Sequence, residues 1–167
     1  LTLMRPFEIK IYPDPVLKQV SEPVADIDSG VTDFIGGLVA TLKSTPGVGV
    51  AAPQVGRLLR IIAVDVTPKE PGRGLVVLIN PVIISSTGSK KVREGCLSVP
   101  EYTANIQRAE EVVVRGLDPN GKEVEIDSKG LEAIAFQHEI DHLDGILFLD
   151  RITNMKRDLF RRKMKSL

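Results

Sequence analysis

Gln137-His138-Glu139-Ile140-Asp141-His142 holds both histidines of the chain, four residues apart, with a glutamate directly after the first. On an α-helix, positions i and i+4 share a face, so the two imidazoles would converge on one point. With a neighbouring carboxylate they form the His-Glu-x-x-His pattern of metal-dependent hydrolases, in which the histidines bind the cation and the glutamate moves protons. A catalytic metal of this type has three protein ligands and one open position. The sequence offers two kinds of third ligand. A downstream carboxylate (Asp144, Asp150 or Asp158) would make a thermolysin-like peptidase. Cys96, in Glu94-Gly95-Cys96-Leu97-Ser98, is the only cysteine and the only soft donor. Cys96 as a nucleophile paired with a histidine would leave the second histidine and Glu139 without a role. A fourth protein ligand would instead mark a non-catalytic module with a structural metal. Gln54 ends the small-residue run Gly47-Val48-Gly49-Val50-Ala51-Ala52-Pro53-Gln54. Its neutral amide is suited to donate to a developing oxyanion, and the run allows close backbone approach. The Lys-Ser/Thr of a phosphate loop is absent from it.

The elements that must position these residues follow from periodicity. Val31, Phe34, Ile35, Leu38 and Leu42 recur at helical spacing, with Asp28 or Ser29 as cap and Gly36 and Gly37 weakening the middle. Leu58–Val66 and Leu75–Ile79 read as strands, Asn80-Pro81 as a turn, and Val82–Ser85 as a resumed strand. Between the first two, residues 67–74 form a Pro- and Gly-rich loop. Glu111–Leu117 and Lys122–Ile126 flank Asp118-Pro119-Asn120-Gly121, a hairpin with an Asn-Gly turn. A helix capped by Asp127 or Ser128 carries Leu131, Ile134, Ala135, His138 and His142 on one stripe, so the histidines continue an inward-facing surface. Cys96 is expected in a loop beside a strand. A last helix, capped by Thr153 or Asn154, follows Arg151. The fold class is α+β: mainly antiparallel sheet around a central motif-bearing helix, with an N-terminal and a C-terminal helix.

The 167 residues are expected to form one domain, 1–167, with 151–167 as a basic C-terminal helix. A composition of 43% hydrophobic and 26% charged residues supplies enough apolar material for a packed core. No apolar run approaches the ~20 residues of a membrane span, and no basic-then-apolar leader is visible. A lone cysteine fits a reducing compartment, so the expected location is cytoplasmic. Met4 is the expected natural start. The chain is neutral overall, but from Arg151 onward seven basic residues face one acid, a net +6 that leaves −6 for residues 1–150. Such a run is a solvated helix face or a docking element for a polyanion such as ribosomal RNA.

GVGVAAPQ at 47–54, EGCLS at 94–98 and QHEIDH at 137–142 resemble, in order and roughly in spacing, the three signature motifs of bacterial-type peptide deformylases. YPDP near the start and DHLDGILFLDR near the end extend the resemblance over essentially the whole chain. It implies removal of the formyl group from the N-terminal formylmethionine of new polypeptides, with formate released. It further implies one divalent metal ion on Cys96, His138 and His142, Fe2+ natively, with Zn2+, Ni2+ or Co2+ also accepted. Glu139 is implied as general base and acid toward a metal-activated hydroxide, and Gln54 with the Leu97 backbone N–H as oxyanion donors. The peptide is implied to add as a strand near Val48, Gly49 and Gly95. Its methionine side chain would enter a pocket of Val48, Val92, Leu131, Ile134 and Ala135. The implied partners are N-formylmethionyl nascent peptides and the ribosome near its exit tunnel, through the basic helix. Arg108 matches the family and is expected to pair with Glu94. Thr103 stands where many relatives carry an arginine.

Overall fold

The computed structural model describes residues 4–152. Helix α1 (Ser29–Lys43) buries the predicted stripe of Val31, Phe34, Ile35, Leu38 and Leu42. Asp28 caps it, its Oδ1 accepting from the Val31 N–H at 2.9 Å. The glycines inside the helix have a packing reason. A Cβ on Gly37 would lie 2.3 Å from the Phe7 ring, so the bare backbone admits Phe7 against α1, where it stacks on Phe34 at 5.4 Å.

Strands β1 (Gly49–Ala51), β2 (Ile61–Val64), β3 (Val76–Thr87), β6 (Glu111–Leu117) and β7 (Glu123–Lys129) form one antiparallel sheet in the order β1-β2-β3-β6-β7. The intervening β4 (Lys90–Cys96) and β5 (Val99–Arg108) form a separate two-stranded hairpin. Helix α2 (Gly130–Leu143) packs on the sheet face carrying Ile62, Val64, Leu78, Val112 and Val114 through Phe136, Ile140 and Leu143. The α1 residues pack with Val50, Ile61, Ala63 and Ile79 of the sheet. Every residue of β2 is therefore buried, which is why its sequence is unbroken Ile-Ile-Ala-Val. A third apolar cluster seats the hairpin: Val99, Ala104 and Ile106 pack with Leu17, Leu147, Phe148, Leu149 and Ile152.

Three expectations are corrected. Asn80-Pro81 does not turn the chain. Asn80 adopts φ 54° and its side chain bonds the Val24 N–H at 2.8 Å and the Val24 carbonyl at 3.0 Å, so β3 continues through an irregularity in register. Asp127 and Ser128 do not cap α2 but belong to β7, because pairing with β6 runs on to Lys129. Ser128 instead donates to Glu132 at 2.6 Å. Cys96 closes β4 rather than lying in a loop, since a hairpin partner pairs with its strand. The Asn-Gly turn is as expected, with the Gly121 N–H bonded to the Asp118 carbonyl at 2.9 Å. The antiparallel α+β architecture with α1 and the motif-bearing α2 is as expected too. The basic C-terminal helix and its Thr153 or Asn154 cap lie outside the described residues.

Candidate metal centre

Helical spacing brings His138 and His142 to one face of α2, with their Nε2 atoms 3.2 Å apart. Across from them, the end of β4 places Cys96 Sγ 3.4 Å from His142 Nε2. The three donor atoms all lie within 4.8 Å of one another. Tetrahedral bonds of about 2.05 Å to nitrogen and 2.3 Å to sulfur give donor separations of roughly 3.3 and 3.6 Å. The 3.2 and 3.4 Å separations lie close to these values, so these residues fit a divalent cation. Among the described residues no acidic third ligand is at this site. Asp144 pairs with Arg60 at 2.9 Å on the surface, Asp150 accepts from the Leu147 N–H and from Lys18, and Asp158 lies outside the described residues.

A charged relay holds the ligands in place. His138 Nδ1 meets Glu94 Oε1 at 2.7 Å, which turns Nε2 toward the ligand cluster. Arg108 clasps Glu94 through two nitrogens at 2.5 and 2.8 Å, and its Nη1 donates to Asp141 at 2.7 Å. Arg151 closes on both Asp141 oxygens at 2.6 Å. Burial by itself would raise the Glu94 pKa, but hydrogen bonds from Arg108 and His138 overcome it and hold the carboxyl at about 2. For His142, burial and the nearby His138 and Arg108 push the pKa well below the ordinary value, leaving neutral imidazole with a free lone pair. Burial also lowers His138, but attraction from Glu139 and Cys96 wins and raises it well above its ordinary value. That excess of negative potential is what a cation would meet.

Glu139 lies beside this cluster, 4% exposed, and burial lifts its pKa to about 7. Its Oε1 has no hydrogen-bond partner among the described residues. Gly49 makes room for it, because a Cβ there would stand 2.6 Å from Glu139 Oε2. Gln54 is buried on the other side. Its Oε1 accepts from the Ala51 N–H at 2.9 Å, which leaves Nε2 facing Ser98 Oγ at 3.2 Å and Cys96 Sγ at 3.5 Å.

A cavity of about 970 Å3 opens over these groups. Its lining includes Gln54, Cys96, Leu97, His138 and Glu139, and also Val48, Gly49, Val92, Gly95, Leu131, Ile134 and Ala135. Of the residues expected to bind metal, catalyse or bind the peptide, only His142 is absent from the wall; it is buried beneath, 1% exposed. Thr103 also reaches the cavity, its Cγ2 3.3 Å from where a Gly95 Cβ would be. Sequence reasoning assigned no role at the metal site to Asp141, Arg151, Ser98 or Phe148, whose ring stacks at 6.4 Å from His138. Asp141 carried a usable signal: an acid between two inward histidines on one helical face must be paired.

Comparison with known proteins agrees with this geometry. The family model described as polypeptide deformylase matches residues 6–158. A peptide deformylase of Thermodesulfovibrio yellowstonii is 51% identical over 159 residues, 95% of this chain and 96% of that protein. The structure superposes with a TM-score of 0.90 on the Ehrlichia chaffeensis peptide deformylase in complex with actinonin, at 36% identity over 98% of each chain. It superposes with a TM-score of 0.83 on the Met-Ala-Ser-bound class I type b peptide deformylase of Acinetobacter baumannii, at 35% identity, covering 88% of this chain and 98% of that one.

Proposed function

This chain belongs to the polypeptide deformylase family and has peptide deformylase activity, and we propose the following division of labour among its residues. Formylated nascent peptides are its substrates, and Cys96, His138 and His142 form its metal site. The observation that carries the assignment of roles is the convergence of those three donors beside a buried glutamate with an unpartnered oxygen.

A divalent cation bound there supplies Lewis acidity that makes a water acidic near neutral pH. Glu139 takes the proton of the attacking water and returns it to the amine that leaves, so water and formamide become formate and a free N-terminus. Its burial supports this role, since a carboxyl near pKa 7 can both accept and release a proton at working pH. Gln54 Nε2 donates to the oxyanion that forms at the formyl carbon, and the Leu97 N–H is the second donor. The Ala51 contact supports the Gln54 assignment by fixing which end of the amide faces the site.

The peptide runs as a strand beside Val48, Gly49 and Gly95. Among the described residues β1 pairs only with β2, and β4 only with β5, so each has an edge open to it. The methionine side chain fills the apolar part of the cavity between Val48, Val92, Leu131, Ile134 and Ala135. Thr103 leaves the groove without the arginine contact of many relatives. The Met-Ala-Ser bound to the Acinetobacter relative supports a methionyl peptide as ligand. The resident metal is Fe2+, with Zn2+, Ni2+ and Co2+ as replacements, because a thiolate with two imidazoles accepts them all. The chain works in the cytoplasm as a single domain, 1–167, and its basic residues after Arg151 dock near the ribosomal exit tunnel. Among the described residues no helix is long and apolar enough to cross a membrane.

Metal-replete protein is expected to release formate from formyl-Met peptides, and Glu139→Ala to stop turnover while still binding metal. Normal metal binding by Cys96→Ser would overturn the ligand assignment. Metal analysis of anaerobically purified protein tests the iron assignment.

A further inference from the structure

The outer half of the cavity carries a charge pattern that deformylation does not require. From Gly95 the wall follows β4 outward past Arg93, Lys91 and Lys90, and Lys69 and Glu70 also line it. All five of these charged side chains are exposed. Among the described residues, none of the four cations takes part in an ion pair. One acid against four bases makes the mouth of the groove cationic, whereas the Glu94–Arg108 pair beneath it is internally neutralised.

This inference rests on the reading that the peptide adds as a strand to the free edge of β4. The formyl group must reach Cys96 at one end of β4, so the rest of the peptide runs toward Lys90. Arg93 lies three residues from Cys96, roughly 10 Å at strand rise. Side chains alternate between the faces of a strand, and neighbours across a strand pair share a face. Glu94 and Val92 point inward on β4, while Arg93 and Lys91 point out. A methionine on the Val92 side therefore puts the second and fourth substrate residues on the side of Arg93 and Lys91.

We propose that this cationic rim makes the enzyme selective by charge, favouring formyl-methionyl chains with Asp or Glu at their second and fourth positions. Arg93 and Lys91 are the specificity-determining residues, and Lys69 and Lys90 add to the field at the mouth.

The test measures formate release from formyl-Met-Glu-Ala-Glu, formyl-Met-Gln-Ala-Gln and formyl-Met-Lys-Ala-Lys by the metal-replete full chain. The same peptides are given to the double variant Lys91→Glu/Arg93→Glu. In the unsubstituted chain kcat/KM should fall in the order Glu, Gln, Lys, by about three- to tenfold overall and mainly through KM, the size expected of one or two exposed ion pairs. The spread should shrink near 1 M salt, where the screening length is about 3 Å. In the double variant the order should invert; ratios within one preparation are unaffected by any loss of folded protein. Equal kcat/KM on the three peptides, or an acid preference that survives the double substitution, overturns the inference and leaves the deformylase reading standing. No formate from any of the three peptides would instead count against that reading.

Discussion

The five-stranded sheet is packed by both helices, α1 and α2, through apolar side chains that are almost all fully buried. The β4–β5 hairpin, which carries Cys96, rests on a smaller apolar cluster and is fastened to α2 by ion pairs: Glu94 to His138, and Arg108 to Asp141. Hydrophobic burial is strong but non-directional, so it fixes α2 on the sheet without specifying tenths of an ångström. Charge-assisted hydrogen bonds are directional, and the ones from Glu94 and Arg108 to α2 help set how far the thiol stands from the imidazoles. Buried ion pairs are weak evidence for stability, because desolvation offsets most of their attraction. The relay is best understood as a positioning device, and the sheet as the source of stability.

The sharpest separation of chemistry from positioning is Glu139→Gln. It should cost about 10²–10⁴ in kcat, with metal content and circular dichroism unchanged. A comparable loss of metal would mean that Glu139 belongs to the positioning network instead. Arg108→Met tests that network directly. Among the described residues it leaves Glu94 with only His138 and Asp141 with only Arg151 as charged partners, so urea unfolding should show a loss of up to about 3 kcal/mol. Metal titration should show affinity weakened by about 10–100-fold. An Arg108→Met protein with unaltered metal affinity would break the comparison.

Metal removal is the next largest effect. With free metal at a hundred times its dissociation constant, chelation should cost about 2.7 kcal/mol and lower Tm. That loss should be smaller in Arg108→Met, because weakened binding has less stability to withdraw. The smallest effect is expected from Ile62→Val in the sheet core, about 0.5–1.5 kcal/mol by denaturant unfolding, with metal affinity unchanged. If this substitution weakened metal binding as Arg108→Met does, the sheet and the relay would not be separable.

Much of the site was legible because its key signals are local. The i, i+4 spacing of His138 and His142 dictates a shared face wherever that helix lies, and the Asn-Gly turn dictates a hairpin. The apolar stripe through Leu131, Ile134 and Ala135 pointed the histidines inward for the same reason. Local signals failed where a distant partner decided the outcome. Asn80-Pro81 reads as a turn until Val24 occupies the Asn80 amide, and Asp127 reads as a cap until β6 pairs with its strand. Gly37 reads as a weakness until Phe7 rests on it.

The sequence by itself determined the donor types, the helical face that joins two of them, and a glutamate placed next to the first. Backbone periodicity is a property of consecutive residues, so it survives without tertiary context. Only the tertiary structure decided that Cys96, and neither Asp144 nor Asp150, meets the two histidines. It also decided that Arg151, at the head of a basic run, spends its charge on Asp141. Many carboxylates and cations compete along the chain, and Coulomb attraction names no partner until packing of the hairpin against α2 sets which of them meet.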